Sequence, residues 1–522
     1  MQFRYQPIPT LPPLAWCARV DRESDAVSVL HGSGVETQPQ GFVEGAWNDS
    51  FASLNFTDAT VVCGTGGILE HDRVRFSAST DQSGPLFSVA KAGSVYVSNS
   101  PAFVMAVAGE LPDDIYPFYP YDLLRIYQQG LYCPHGLLRL QSSASLGVHF
   151  YTMISVDPRG SVTFDTHRLC EAPQDYESYK KLLLEGVSKV IENAADPTRR
   201  RRYRPLVSLS KGYDSTATAV LARSAGCTEA LTFIDTRQED PNLDSGADNA
   251  QYLGMTCKVY GRWQYLHLDR CAEAEFGYVS IASTAPLAVA EDQLAGRVLL
   301  GGEAGDAVWH PERAKACVEM TRPWIRHTMM LSAIEFRLRV GYYILSPACI
   351  AARHNGAIHD IATSAEMQPW SVGGDYDRPI PRRIAEEAGL ARNRFGTRKL
   401  ASAHSHLIYP GRFSEKALND YRRFVNQRHA QIPRDIYRHW RTQVQQRHQL
   451  WDAMDNQHRN SSPTSLQPHF ATPLRAPWDF MFTFQWTVAS MRSRYTQTAQ
   501  GALDPDPLEN PDRRGLPGLR VR

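Results

Sequence analysis

The run Leu206-Val207-Ser208-Leu209-Ser210-Lys211-Gly212-Tyr213-Asp214-Ser215 constrains the fold of this chain more than any other segment. A short apolar stretch of β type ends at Ser210, and a helical pattern follows over 216–223. That order predicts a strand, a tight turn and a helix N-terminus. A helix start offers unpaired N–H groups and a partial positive charge, which suit an anion such as phosphate. Gly212 lets backbone come close, and the Ser210 and Ser215 hydroxyls can bond phosphate oxygens. Asp214 would repel a phosphate directly, so its expected role is to hold a Mg²⁺ that bridges phosphates. The expected ligands are therefore ATP and Mg²⁺.

The bulk numbers leave room for this and exclude other classes. A chain of 522 residues should form about two or three domains with ample core. With a net charge of +1 there is no global electrostatic case for nucleic acid or a membrane surface. The basic run Arg199-Arg200-Arg201-Arg202 reads as a solvated linker. Nine scattered cysteines include no C-x-x-C pair or zinc spacing, so they read as thiols in a reducing compartment. No signal peptide or membrane-length apolar run is evident, and a cytoplasmic location is expected.

Residues 1–172 read as a β-rich domain, with runs of β type at 59–63, 74–77, 86–90, 94–98 and 148–154 and short helices at 101–108 and 121–129. A boundary is expected near Pro173, followed by a helix over 176–192. From 206 onward strands at 230–234, 257–260 and 298–300 alternate with helices, which argues a doubly wound parallel sheet. The stretches 320–353 and 421–457 read as helical, and residues 501–522 as a loose tail after a second domain over 173–500.

Leu299-Leu300-Gly301-Gly302-Glu303-Ala304-Gly305-Asp306 repeats the logic of the first turn. Gly301 and Gly302 admit a flat ligand, and Asp306 can complete a metal site with Asp214. Ser210 and Gly301 both follow strand ends, where ligands bind in open parallel sheets.

Together these segments resemble a known family. The first turn is similar to the Ser-Gly-Gly-x-Asp-Ser pyrophosphate loop of the N-type ATP pyrophosphatases, with Lys211 in place of the first Gly. The pair resembles the synthetase domain of asparagine synthetase and its relatives, whose second motif reads Ser-Gly-Glu-Gly-x-Asp-Glu. Asp81-Gln82-Ser83-Gly84-Pro85-Leu86-Phe87 resembles a segment of that family's N-terminal domain, and the likeness spans about residues 55–400.

The resemblance implies an α/β and α+β chain. An inactive, β-rich Ntn-hydrolase-like domain precedes an ATP pyrophosphatase (adenine nucleotide α-hydrolase-like) synthetase domain. It implies an AMP-forming amide synthetase that adenylates a carboxylate and passes it to an amine or ammonia. Ser208, Ser210, Lys211, Gly212, Asp214, Ser215, Phe233, Gly301 and Gly302 would bind ATP and pyrophosphate, and Asp214 and Asp306 would hold Mg²⁺. Glu303 matches the family's general base, and Lys399 the lysine that steadies the α-phosphate. Arg378, Arg382 and Glu366 are substrate candidates. The segment Asp375-Tyr376-Asp377-Arg378-Pro379-Ile380-Pro381-Arg382-Arg383 reads as extended, presenting arginines to an acid or tied by its own salt bridges.

Glutamine-hydrolysing members carry Cys after the initiator Met; here position 2 is Gln, so ammonia is expected from outside, possibly a separate glutaminase, or the amine sits on the substrate. The expected partners are a small-molecule or peptide carboxylate and an amine or ammonia donor; a homodimer would be in keeping. Glutaminase-deficient relatives close a β-lactam or lasso-peptide ring within one molecule, and a non-catalytic scaffold with a decayed ATP site is a third reading, motivated by Lys211 and by Ala307 after Asp306.

Overall fold

The computed structural model describes residues 1–502 except 120–121, 124–125, 127–134, 279–283, 312–328, 375, 398–411, 430–431, 437, 440–441, 444–445 and 447–481. Asp375, Lys399, the expected tail from 503, and parts of the 121–129, 320–353 and 421–457 helical stretches lie outside the described residues.

The N-terminal half is two stacked β-sheets. One joins β1 (Gln2–Pro7), β2 (Trp16–Asp21), β3 (Ala26–His31), β8 (Leu86–Lys91), β9 (Ser94–Ser98), β10 (His135–Arg139) and β11 (Ser145–His149), in the order β1-β3-β2-β9-β8-β11-β10. The other joins β4 (Glu36–Gln38), β5 (Gly41–Trp47), β6 (Val62–Glu70), β7 (Arg73–Ser77), β12 (Thr152–Val156) and β13 (Val162–Thr166), in the order β13-β12-β7-β6-β5-β4. All pairs are antiparallel except β1 with β3. Trp16, Val29, Phe42, Phe76, Val97 and Ile154 fill the space between the sheets. Trp16 meets Phe42 edge-on at 4.9 Å, and its indole N–H donates to Thr65 Oγ1 at 2.9 Å, so its polar end is satisfied.

Two strand expectations shift. The run at 59–63 enters the ladder only at Val62, and the run at 148–154 is two strands, β11 and β12. The break lies at Tyr151, whose φ of 55° takes the chain out of extended geometry.

The C-terminal half is built on one all-parallel sheet. Its strands are β14 (Arg204–Ser208), β15 (Glu229–Ile234), β16 (Thr256–Gly261), β17 (Arg297–Leu300) and β18 (Tyr343–Leu345), ordered β16-β15-β14-β17-β18. Strand β17 is buried along its whole length, as expected for the middle of a parallel sheet. The order runs outward from β14 in both directions, so the topology reverses between β14 and β17. That reversal opens a crevice at the carboxyl ends of the strands.

The helix Tyr176–Ala194 joins the halves. Asp175 caps it: its carboxylate accepts from the Ser178 N–H at 2.8 Å, and the Ser178 hydroxyl accepts from the Asp175 N–H at 3.1 Å. Gly186 on this helix sits between Ile350 and Val61, one from each half.

The basic run is no solvated linker throughout. Arg199 is buried, donates to the Gly45 and Asn193 carbonyls at 2.9 and 2.6 Å, and lies 4.1 Å from the Phe51 ring centroid. A guanidinium can be buried there because carbonyls and an aromatic face replace its water. A second pin is Arg337, whose guanidinium donates to both Glu44 oxygens at 2.7 and 2.9 Å in the interior. The segment after Asp377 is helical over Pro379–Glu387 rather than extended. Its prolines lie in the first turn, where a missing N–H leaves no intrahelical bond unmade.

Candidate functional site at the sheet reversal

Strand β14 ends at Ser208, and the chain turns through Ser210, Lys211 and Gly212 into the helix Tyr213–Ser224. The turn is held by its own hydroxyls. Ser210 Oγ lies 2.9 Å from Ser215 Oγ, the Ser210 N–H donates to Ser215 Oγ at 3.1 Å, and the Gly212 N–H donates to Ser210 Oγ at 3.1 Å. The Lys211 ammonium points along the neighbouring loop and donates to the Asn242 carbonyl at 3.3 Å.

The loop after β17 packs directly on this helix start. A Cβ on Gly302 would lie 2.6 Å from the Ser215 nitrogen, and one on Gly305 would lie 2.5 Å from the Asp214 carboxyl carbon. Only glycine permits such backbone approach. The Asp214 carboxylate therefore rests against the backbone just before Asp306. Two short carboxylates suit a hard cation such as Mg²⁺, which keeps waters and takes phosphate oxygens as further ligands. Among the described residues no group of three or more His, Cys, Asp or Glu side chains is placed to hold a metal.

Glu303 folds back over Gly301: a Cβ there would lie 1.8 Å from Glu303 Oε2. That oxygen is buried and accepts no hydrogen bond among the described residues, while the Ser346 hydroxyl donates to the Glu303 carbonyl. Burial pushes the Glu303 carboxyl above its ordinary range, its own backbone bond offsets part of this, and the Asp81 carboxylate adds to the rise. Asp81 belongs to the N-terminal half. It is buried, and it accepts from the Ser83 N–H at 2.8 Å and the Ser79 hydroxyl at 2.8 Å.

The other sequence candidates divide. Ser208 and Phe233 lie on adjacent strands β14 and β15, both half-buried, with Phe233 6.0 Å from the Tyr260 ring. Arg378 is buried and donates to the Asp377 carbonyl at 2.6 Å. Arg382 is buried beside the start of the helix Tyr213–Ser224, where it donates to the Tyr213 hydroxyl and to Glu386 at 3.1 Å. Glu366 accepts from Arg383 at 2.6 Å, and Arg383 also stacks on Tyr176 and Trp370. Arg382 and Arg383 thus pair with carboxylates outside the segment 375–383, Glu386 for the first and Glu366 and Glu387 for the second.

Tyr376 was not singled out in the sequence. Its ring lies 4.7 Å from Tyr213, its hydroxyl 3.9 Å from where a Cβ on Gly212 would stand, and burial, then the Asp214 carboxylate, raise the pKa of that hydroxyl. The Asp377 and Arg378 that follow it stand out by their charge, and nothing in the sequence marks the tyrosine before them.

No model of a known protein family matches the chain, and no curated protein matches it.

Proposed function

We propose that this protein is an ATP-dependent, AMP-forming amide synthetase. The observation that carries the reading is the meeting of two loops at the sheet reversal, which puts Asp214, Asp306 and Glu303 beside one helix N-terminus. On this reading the parallel sheet is an ATP pyrophosphatase fold and the sandwich an Ntn-hydrolase-like domain without glutaminase activity. The described sandwich cysteines fit that: Cys17 and Cys63 are buried, with burial raising both thiols, Cys63 to about 12.

The chain's own groups divide the work. First-turn N–H groups and the Ser210 and Ser215 hydroxyls cradle phosphate oxygens. Asp214 and Asp306 would hold Mg²⁺, which neutralises charge on the departing pyrophosphate when bound. The carboxylate substrate displaces pyrophosphate from the α-phosphorus and becomes an acyl-adenylate. Glu303 takes the proton from the attacking amine, which suits a buried carboxyl with a raised affinity for protons. Loss of AMP completes the amide.

The test is AMP and pyrophosphate release from MgATP with candidate acids, with and without ammonium, beside Asp214→Ala. Acid-dependent AMP formation abolished in the variant is expected, and a need for ammonium separates intermolecular amidation from ring closure. ATP that neither binds nor yields AMP with any acid would leave a scaffold.

A further inference from the structure

Strands β15 and β16 end next to the phosphate turn, and the residues just past them build a second polar centre. The backbone ties it to that turn: the Lys211 N–H donates to the Asp244 carbonyl at 3.2 Å, and Ser210 bridges Ser245. Trp263 stands at the middle. Arg237 lies 3.8 Å and Arg412 4.4 Å from its ring centroid, and Arg262 is its chain neighbour.

Two guanidiniums therefore face one indole, and Arg262 lies near enough for its like charge to act on Arg412. The carboxylate nearest them is largely committed elsewhere. Asp235 Oδ1 accepts from the Trp263 indole N–H at 2.7 Å and the Arg237 backbone N–H at 3.1 Å; Asp235 Oδ2 accepts from Gln238 Nε2 at 3.4 Å and lies 3.9 Å from Arg262. Asp244 also attracts Arg262. Among the described residues neither the Arg237 nor the Arg412 guanidinium has a carboxylate within salt-bridge distance. Burial disfavours the charged forms of Arg262 and Arg412; for Arg412 Tyr265 and, to a lesser degree, Asp235 counteract this, while the like charges of Arg262 and Arg237 deepen it. Arg237 and Arg412, like charges held together without a carboxylate at salt-bridge distance among the described residues, are arranged for an anion, and the guanidinium fork matches carboxylate and phosphate oxygens.

We propose that Arg237, Arg262 and Arg412 around Trp263 form an anion site at the edge of the crevice, taking a carboxylate or phosphate group of a ligand that also reaches the phosphate turn. Only the identification of that ligand with the acid to be activated rests on the amide-synthetase reading; the anion site does not.

The experiment is calorimetric titration of the full chain with inorganic phosphate and, separately, with succinate, each in the presence of MgATP to occupy the phosphate turn. Arg237→Gln and Arg412→Gln are titrated alongside; Arg237 is exposed, so its replacement removes its stacking on Trp263 without opening the buried core. One probe should bind the parent, and either variant should weaken it by about tenfold or more with MgATP affinity unchanged. Tighter phosphate binding assigns a phosphoryl ligand, and tighter succinate binding a carboxylate. Equal affinity of parent and variants, or no heat with either probe, overturns the site. A probe that binds through these arginines while MgATP does not bind removes the nucleotide reading and leaves the anion site standing.

Discussion

At the residue scale the decisive group is Glu303. Its Oε2 is buried and has no hydrogen-bond donor among the described residues, so the protein holds it at a cost that a structural role does not explain. Burial raises its affinity for protons, and Asp81 raises it further. A general base works only when deprotonated, so amine capture should fall as pH drops through this raised value, at higher pH than an ordinary carboxylate would show. Asp81→Asn removes a like charge and should move that acid limb to lower pH without abolishing turnover. Glu303→Gln should slow amide formation by about 10²–10⁴-fold while leaving acid-dependent pyrophosphate exchange in place. A pH profile of amide formation beside the exchange rate checks both; loss of exchange and amide formation together would make Glu303 a nucleotide-site residue instead.

At the element scale, the turn and the second loop work because glycine brings two backbones together. Gly302→Ala would put a methyl 2.6 Å from the Ser215 nitrogen, against backbone that has nowhere to retreat. The expected result is overpacking of about 1–3 kcal/mol in thermal or denaturant unfolding, together with loss of MgATP binding as the helix start is displaced. Four of the five parallel strands and the first turn were legible in the sequence because runs such as β14 and β17 are short, apolar and followed at once by turn residues, whereas β18 lies inside the 320–353 stretch that reads as helical. The sandwich was harder to read. Strand β5 is buried at every position yet carries Glu44, and β2 carries Arg19 and Asp21, so neither shows simple alternation. Arg199 looked like one of four equivalent arginines, because the carbonyls that receive it come from Gly45 and Asn193, which folding alone brings near. The anion centre at Trp263 was equally hidden: Arg237, Arg262 and Arg412 meet only through the ends of β15 and β16 and a distant segment.

At the scale of the whole molecule the two halves share one apolar core, running from Leu14, Phe87 and Phe103 of the sandwich through Tyr179 and Leu183 of the joining helix to Leu206 and Leu299 of the parallel sheet. The Glu44–Arg337 pair crosses the same boundary. Its geometry is bidentate, and Thr65 Oγ1 and Asn99 Nδ2 also donate to Glu44 Oε1, at 2.8 and 3.2 Å, so the buried carboxylate is well supplied with donors. Removing it would leave the Arg337 guanidinium charged and desolvated with no partner at that end. Breaking one side of such a pair costs about 3–5 kcal/mol, more than replacing both partners by apolar groups of similar shape. Glu44→Ala should therefore lower stability by about that amount, and Glu44→Leu combined with Arg337→Met should recover much of the loss. Because the core is continuous, the parent should unfold in one calorimetric transition, and the single variant should either shift that transition downward as a unit or release the sandwich as an earlier one. Two well-separated transitions in the parent would mean that the halves fold independently and that Asp81 acts on Glu303 only across a loose contact. One transition, lost stability in Glu44→Ala and its recovery in the double variant would mean that the sandwich is kept as the wall that buries Glu303.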